Sequence, residues 1–213
     1  SDKAKRIIDK FWPGPLTLVF EKSEKVPYGT TGGLQTVAVR MPVNEIALEL
    51  IRQGGGYISA PSANTSGRPS PTSAQHVQDD LDGKIEMIID GGTVDIGVES
   101  TILDMTVEPP MILRPGAITK EMFEEVIGEV VVDKALLSED AKEAPKAPGM
   151  KYRHYAPDCK VLIIDGDLLA AEKYIRSQWQ PGNRVLCFEE ELPYFAEFAP
   201  LAYGKVSDTD TLL

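Results

Sequence analysis

YISAPSANTSGRPSPTSAQHV, Tyr57 to Val77, is the segment around which the rest of the chain is arranged. Tyr57-Ile58-Ser59 reads as a strand, and Thr72-Ser73 as the N-terminus of a helix. Between them Ser, Thr, Pro, Gly and Asn dominate. Pro61, Pro69 and Pro71 fix φ and push the residues before them into extended conformations, so the loop has a set shape. It offers the hydroxyls of Ser59, Ser62, Thr65, Ser66, Ser70 and Thr72, the amide of Asn64, and backbone N–H groups near Gly67. A strand, a donor-rich turn and a helix N-terminus together suit a phosphate or carboxylate. The same composition also describes a solvated surface loop, and taken alone the stretch favours neither reading.

Upstream, Ile7, Ile8 and Phe11 recur at helical spacing, predicting a helix from Asp2 to Trp12 that Pro13-Gly14-Pro15 stops. Leu16–Glu21 and Thr36–Met41 read as strands, the second with Arg40 near its end. Asn44 is placed to cap a helix whose Ile46, Ala47, Leu50 and Ile51 form one stripe. Downstream, the pattern predicts a short helix from Ser73 to Leu81 and strands at Met87–Asp90, Ser100–Met105, Met111–Arg114 and Glu129–Val132. A helix capped by Thr119 precedes the last of these. From Lys134 to Pro157 apolar periodicity fades into Ala, Lys, Glu and Pro, as in a linker. Then Lys160–Ile164, Gly166–Trp179 and Arg184–Phe188 read as strand, helix and strand, a small parallel α/β unit. The expected organisation is thus a larger domain over 1–133, a linker over 134–157 and a second domain over 158–213.

The 213 residues, 42% hydrophobic and 26% charged, suffice for one large domain or for one domain and a small companion. A net charge of −11 argues against a basic nucleic-acid clamp, yet a local basic pocket could still hold a nucleotide. Cys159 and Cys187 are too few and too far apart for a disulfide framework or a zinc site. With no apolar run of membrane-spanning length and no signal-peptide pattern at residue 1, the expected setting is cytoplasmic, with no membrane partner.

No nucleophile–base pair stands out. His76 and His154 are the only histidines, and His76 is expected to be a surface or packing residue. Walker-type, GxGxxG and HExxH patterns are absent from the sequence, and no residues suggest a protein ligand for a metal. Asp90, before Gly91-Gly92, reads better as a turn-stabilising residue than as a ligand contact. Four places combine instead: Arg40 at a strand end, the central loop, Glu99-Ser100-Thr101 at a strand start, and Arg114 before Pro115-Gly116. Arginines bind carboxylate or phosphate bidentately. Two of them among many hydroxyls, without a base, describe a site that aligns anions for transfer by positioning and charge neutralisation.

FWPGPLTLV (11–19), VAVRMP (37–42), SAPSANTSGRPSPT (59–72), VEST (98–101), LRPGAI (113–118) and APGMKYRHYAP (147–157) occur in that order. Together they resemble the Sua5/YrdC family, and within it the two-domain Sua5-type threonylcarbamoyl-AMP synthases. The resemblance implies an α/β fold: a YrdC-like twisted mixed sheet with flanking helices, followed by a small Rossmann-like C-terminal domain. It implies synthesis of L-threonylcarbamoyl-AMP and pyrophosphate from L-threonine, bicarbonate and ATP, for the t6A modification of tRNA. It places threonine at Arg40, Ala60 (through its backbone) and Ser100, and ATP at Thr36, Ser62, Asn64, Ser70 and Arg114. Lys151, Tyr152, Arg153, His154 and Tyr155 match a segment that folds over the cavity mouth. No permanently bound cofactor is implied; ATP is a substrate and Mg2+ is expected with it. tRNA or the downstream threonylcarbamoyl-transferase machinery are the further partners implied. Against the family pattern the chain starts at the FWPGPLT helix and stops at Leu213 after few elements, so both domains are expected to be incomplete. The alternative is a non-catalytic nucleotide- or RNA-binding module on the same fold. Carbamoyl transfer on a HypF-type architecture lacks its zinc-ligand cysteines here.

Overall fold

Leu16–Glu21 (β1) and Thr101–Asp104 (β3) are nearly continuous apolar runs, the pattern of strands covered on both faces. They pair in parallel, Leu18 beside Leu103, at the centre of a five-stranded sheet. Thr36–Arg40 (β2) runs antiparallel to β1 on one side. Met111–Arg114 (β4) runs antiparallel to β3 on the other, and Val131–Val132 (β5) completes the order β2-β1-β3-β4-β5. The computed structural model describes residues 1–65, 67–136 and 159–208, in two units, Ser1–Ala156 and Pro157–Leu213. Lys151 to Tyr155, the expected lid, lie outside the described residues.

Helices Asp2–Phe11 (α1) and Lys120–Ile127 (α5) cover one face of the sheet. Ile7, Leu16, Leu18, Leu103 and Phe123 are fully buried there, and the Phe11 and Phe123 rings meet edge to face at 5.6 Å. Each helix starts on a hydroxyl cap, Ser1 for α1 and Thr119 for α5. The opposite face carries a smaller cluster of Val19, Ile102 and Leu113. Next to β2, a single helical turn spans Tyr28–Thr31 (α2). Glu45–Gln53 (α3) is capped as expected by Asn44, whose Oδ1 accepts from Ala47 N at 3.0 Å. The α3 stripe is not packed, however: Ile46 and Leu50 are about half exposed, at 47% and 50%. Ala74–Leu81 (α4) follows the central loop.

Three expected strands are corrected. Tyr57–Ser59, Met87–Asp90 and Lys160–Ile164 have no strand structure. Strand propensity reflects fit to a pleated neighbour, and no described strand pairs with any of these segments. Their apolar side chains face solvent, with Tyr57 86%, Met87 75% and Ile163 88% exposed.

The second unit contains Leu168–Gln178 (α6), capped by Asp167, and a two-stranded parallel sheet of Leu186–Cys187 (β6) and Leu201–Ala202 (β7). The strand expected over Arg184–Phe188 thus shrinks to two residues, and its partner is β7 rather than 160–164. Between β6 and β7 lies a 3-10 stretch, Glu189–Phe198. Val185, Cys187, Phe195 and Phe198 form the core of this unit, with the Trp179 ring tilted against Phe198 at 4.7 Å. No described helix is long and apolar enough to cross a membrane.

Candidate active site

Strand register brings the site together. Arg40 of β2 is paired with Thr17 of β1, Thr17 with Ile102 of β3, and Ile102 with Arg114 of β4. One line across four strands therefore runs from one arginine to the other. Thr17 lies two residues before Val19, on the face opposite α1 and α5. Ser100 precedes β3 at the same end of the sheet, so three of the expected positions, Arg40, Ser100 and Arg114, converge.

The arginines are held differently. Arg114 is half buried and donates from Nε (3.0 Å) and Nη2 (2.8 Å) to the Ser100 carbonyl, and from Nη2 to Ser100 Oγ (3.0 Å). Its Nη1 pairs with the Glu99 carboxylate. Arg40 donates from Nε to the Gly14 carbonyl at 3.2 Å. Desolvation of its guanidinium lowers the Arg40 pKa, the positive charge of Arg114 adds to this, and Glu99 acts in the opposite sense. Arginine nevertheless stays a cation at neutral pH. Two neighbouring cations, offset by one carboxylate, make this end of the sheet suited to anions.

Ser100 is buried, and its Oγ shares a 2.8 Å hydrogen bond with Thr17 Oγ1. Thr101, fully buried, donates from Oγ1 to Ile118 O at 2.8 Å and accepts from Ile118 N at 3.0 Å. This draws the 115–118 turn against β3. At Gly116 the approach is so close that a Cβ would stand 2.4 Å from Glu99 O and 2.6 Å from Thr101 N. Only glycine lets the turn after Arg114 lie there.

The central loop has no strand structure. Ser70 donates to Glu99 Oε1 at 2.5 Å, and Thr72 O accepts from Val94 N at 3.1 Å. Asp80 of α4 accepts from Thr65 N and pairs with Arg68 at 2.8 Å. Asn64 donates from Nδ2 to Thr65 O and Arg68 O, both at 3.0 Å, while its buried Oδ1 has no hydrogen-bond partner among the described residues. Ala60 and Ser62 are exposed, and Thr36 is half buried at the start of β2, at the opposite end of that strand from Arg40. Thr36 therefore stands away from Arg40 along β2. His76 is an exposed residue whose Nδ1 accepts from Thr72 N at 3.3 Å, and Asp90 accepts from Gly92 N at 2.9 Å, stabilising its turn as expected.

Three contributors escaped sequence reasoning. Gly14 stands out in sequence as part of a helix stop, yet its carbonyl holds Arg40 and its N–H donates to Met41 O at 2.9 Å. Thr17 reads as an ordinary strand residue, and Glu99 as a neighbour of the hydroxyls. Register reveals Thr17, and side-chain bonds reveal Gly14 and Glu99. A cleft of about 450 Å3 lined by Ser73, Gln78, Ile88, Asp90 and Thr93 includes none of the expected site residues. Among the described residues, no three His, Cys, Asp or Glu side chains group as a metal site. The Glu99 carboxylate is committed to Arg114 and Ser70, so these residues do not fit a protein-held Mg2+.

Comparison with known proteins places this architecture. Residues 1–116 match the Sua5/YciO/YrdC family, described under the heading of telomere recombination, and residues 118–210 match the C-terminal domain of threonylcarbamoyl-AMP synthase. The chain belongs to the Sua5/YciO/YrdC family. It is 57% identical over 165 residues to the threonylcarbamoyl-AMP synthase of Pyrococcus abyssi, a match covering 78% of this chain and 48% of that protein. Its counterpart from Bacillus subtilis is 46% identical over 214 residues, 99% of this chain and 61% of the relative. The crystal structure of Pyrococcus abyssi Sua5 complexed with L-threonine superposes with a TM-score of 0.80 at 49% identity, covering 89% of this chain and 57% of that one. The chain thus spans about half to three-fifths of the length of these relatives.

Proposed function

We propose that the chain is part of an L-threonylcarbamoyladenylate synthase, taking L-threonine, bicarbonate and ATP to threonylcarbamoyl-AMP and pyrophosphate. The observation that carries this reading is the Arg40–Thr17–Ser100–Arg114 cluster. It sets two cations and two hydroxyls side by side at one sheet end, in a chain whose relatives bear that activity in their names.

The chemistry suits such a site. The threonine amine adds to bicarbonate with loss of water, giving a carbamate that is already anionic. A carbamate oxygen then attacks the α-phosphorus of ATP, and the bond to the bridging oxygen breaks to release pyrophosphate. An anionic nucleophile needs no strong base; the protein's task is to hold anions close and offset their repulsion. Arg40 takes the threonine carboxylate, with Ser100 and the Ala60 backbone beside it. Arg114 and Ser70, with Thr36, Ser62 and Asn64, take the nucleotide. Mg2+ enters on the phosphates of ATP. The product serves t6A formation through tRNA and a downstream transferase.

Binding of L-threonine measured by calorimetry tests the assignment. Arg40→Ala is expected to reduce threonine affinity at least tenfold, about the worth of one charge-assisted pair. Unchanged affinity in that variant would remove Arg40 from the site. A nucleotide- or RNA-binding module would instead show no response to threonine in the unsubstituted chain.

A further inference from the structure

Both side chains assigned to ATP near the arginine cluster, Ser70 and Arg114, end on the same carboxylate, Glu99. They come from different elements: Ser70 from the central loop, Arg114 from the end of β4. We propose that Glu99 is a positioning residue that fixes Ser70 against Arg114 and thereby governs nucleotide binding without governing threonine binding. The proposal rests on the assignment of ATP to these two residues.

The geometry argues for an action through Ser70. Arg114 has its own anchor, since Nε and Nη2 both bond the Ser100 carbonyl and Nη2 also bonds Ser100 Oγ. Removing Glu99 leaves that anchor intact. Ser70 belongs to a loop with no strand ladder to hold it, and its 2.5 Å bond to Glu99 ties it to the sheet end. The Glu99 side chain is only 24% exposed, so the tie is shielded from bulk water. Arg40, on the threonine side, is anchored separately on Gly14, and Glu99 acts on it through its charge. Simple electrostatics predicts the opposite sign: deleting a carboxylate beside an anion site should strengthen ATP binding. The sign of the change therefore separates positioning from a mere internal counter-ion.

The test is calorimetric titration of the chain with ATP and, separately, with L-threonine. Glu99→Ala is expected to weaken ATP about tenfold, the scale of one charge-assisted hydrogen bond, and to leave threonine within about twofold. Ser70→Ala should lose a similar factor, and the double variant should bind ATP no more weakly than either single one. Glu99→Gln, whose carbonyl oxygen still accepts from Ser70, should keep most of the affinity. Stronger ATP binding in Glu99→Ala, additive losses in the double variant, or an equal loss of threonine each overturns the proposal while leaving the functional reading in place. Failure of the unsubstituted chain to bind either ligand overturns that reading, and the positioning role with it.

Discussion

The Glu190 carboxylate, fully exposed, is held down to about 2 from an ordinary value of 4.5. Its own backbone N–H is the largest cause, followed by the N–H groups of Val206 and Ser207 and the Ser207 hydroxyl. A carboxyl depressed in the folded state contributes stability that is complete above 4.5 and lost as the pH falls toward 2. An NMR titration of the Glu190 side chain should therefore show a midpoint near 2. In Glu190→Gln, stability to urea should fall less steeply with acid between pH 4.5 and 2. A midpoint near 4.5 would mean that the Val206–Ser207 turn is not held by this residue. At the same scale, the sequence made the two arginines and Ser100 legible because they sit at strand ends in recognisable motifs. Thr17 was not legible, because nothing local marks a residue whose partner is reached only through strand pairing. Glu99 was legible as part of a strand start but not as the partner of Ser70 and Arg114.

Among the elements, the turn after β4 carries the sharpest constraint. Gly116→Ala would drive a Cβ to 2.4 Å from the Glu99 carbonyl, backbone against backbone, where no side chain can yield. Overpacking of this kind costs about 1–3 kcal/mol, and urea unfolding should register that loss. An unchanged midpoint would show that the turn can move away from β3. The contact between α1 and α5 offers a second measure. Phe123 is fully buried against Phe11, and Phe123→Ala should cost about 3–5 kcal/mol in the same assay. Both helices were legible from spacing and caps, and β1, β3 and β4 from their apolar runs. The runs at 57–59, 87–90 and 160–164 look equally strand-like, but a strand exists only where a partner supplies its ladder. Sequence reports the propensity of each run and is silent about its neighbours.

At the scale of the whole molecule, a mixed sheet sets two arginines, two hydroxyls and a carboxylate at one of its ends, and two family matches divide the chain between them. Motif order alone makes most of this legible, since the motifs mark the strand ends that converge. Thr36, at a strand start, and Ala60 and Ser62, in an exposed loop, remain expectations of the family pattern. The most direct measurement is a short incubation of the chain with ATP, L-threonine and bicarbonate, followed by mass spectrometry for threonylcarbamoyl-AMP. The account predicts that the adenylate forms only when all three substrates are present. Binding of ATP and threonine without any adenylate would contradict it and leave a chain that holds both ligands without joining them.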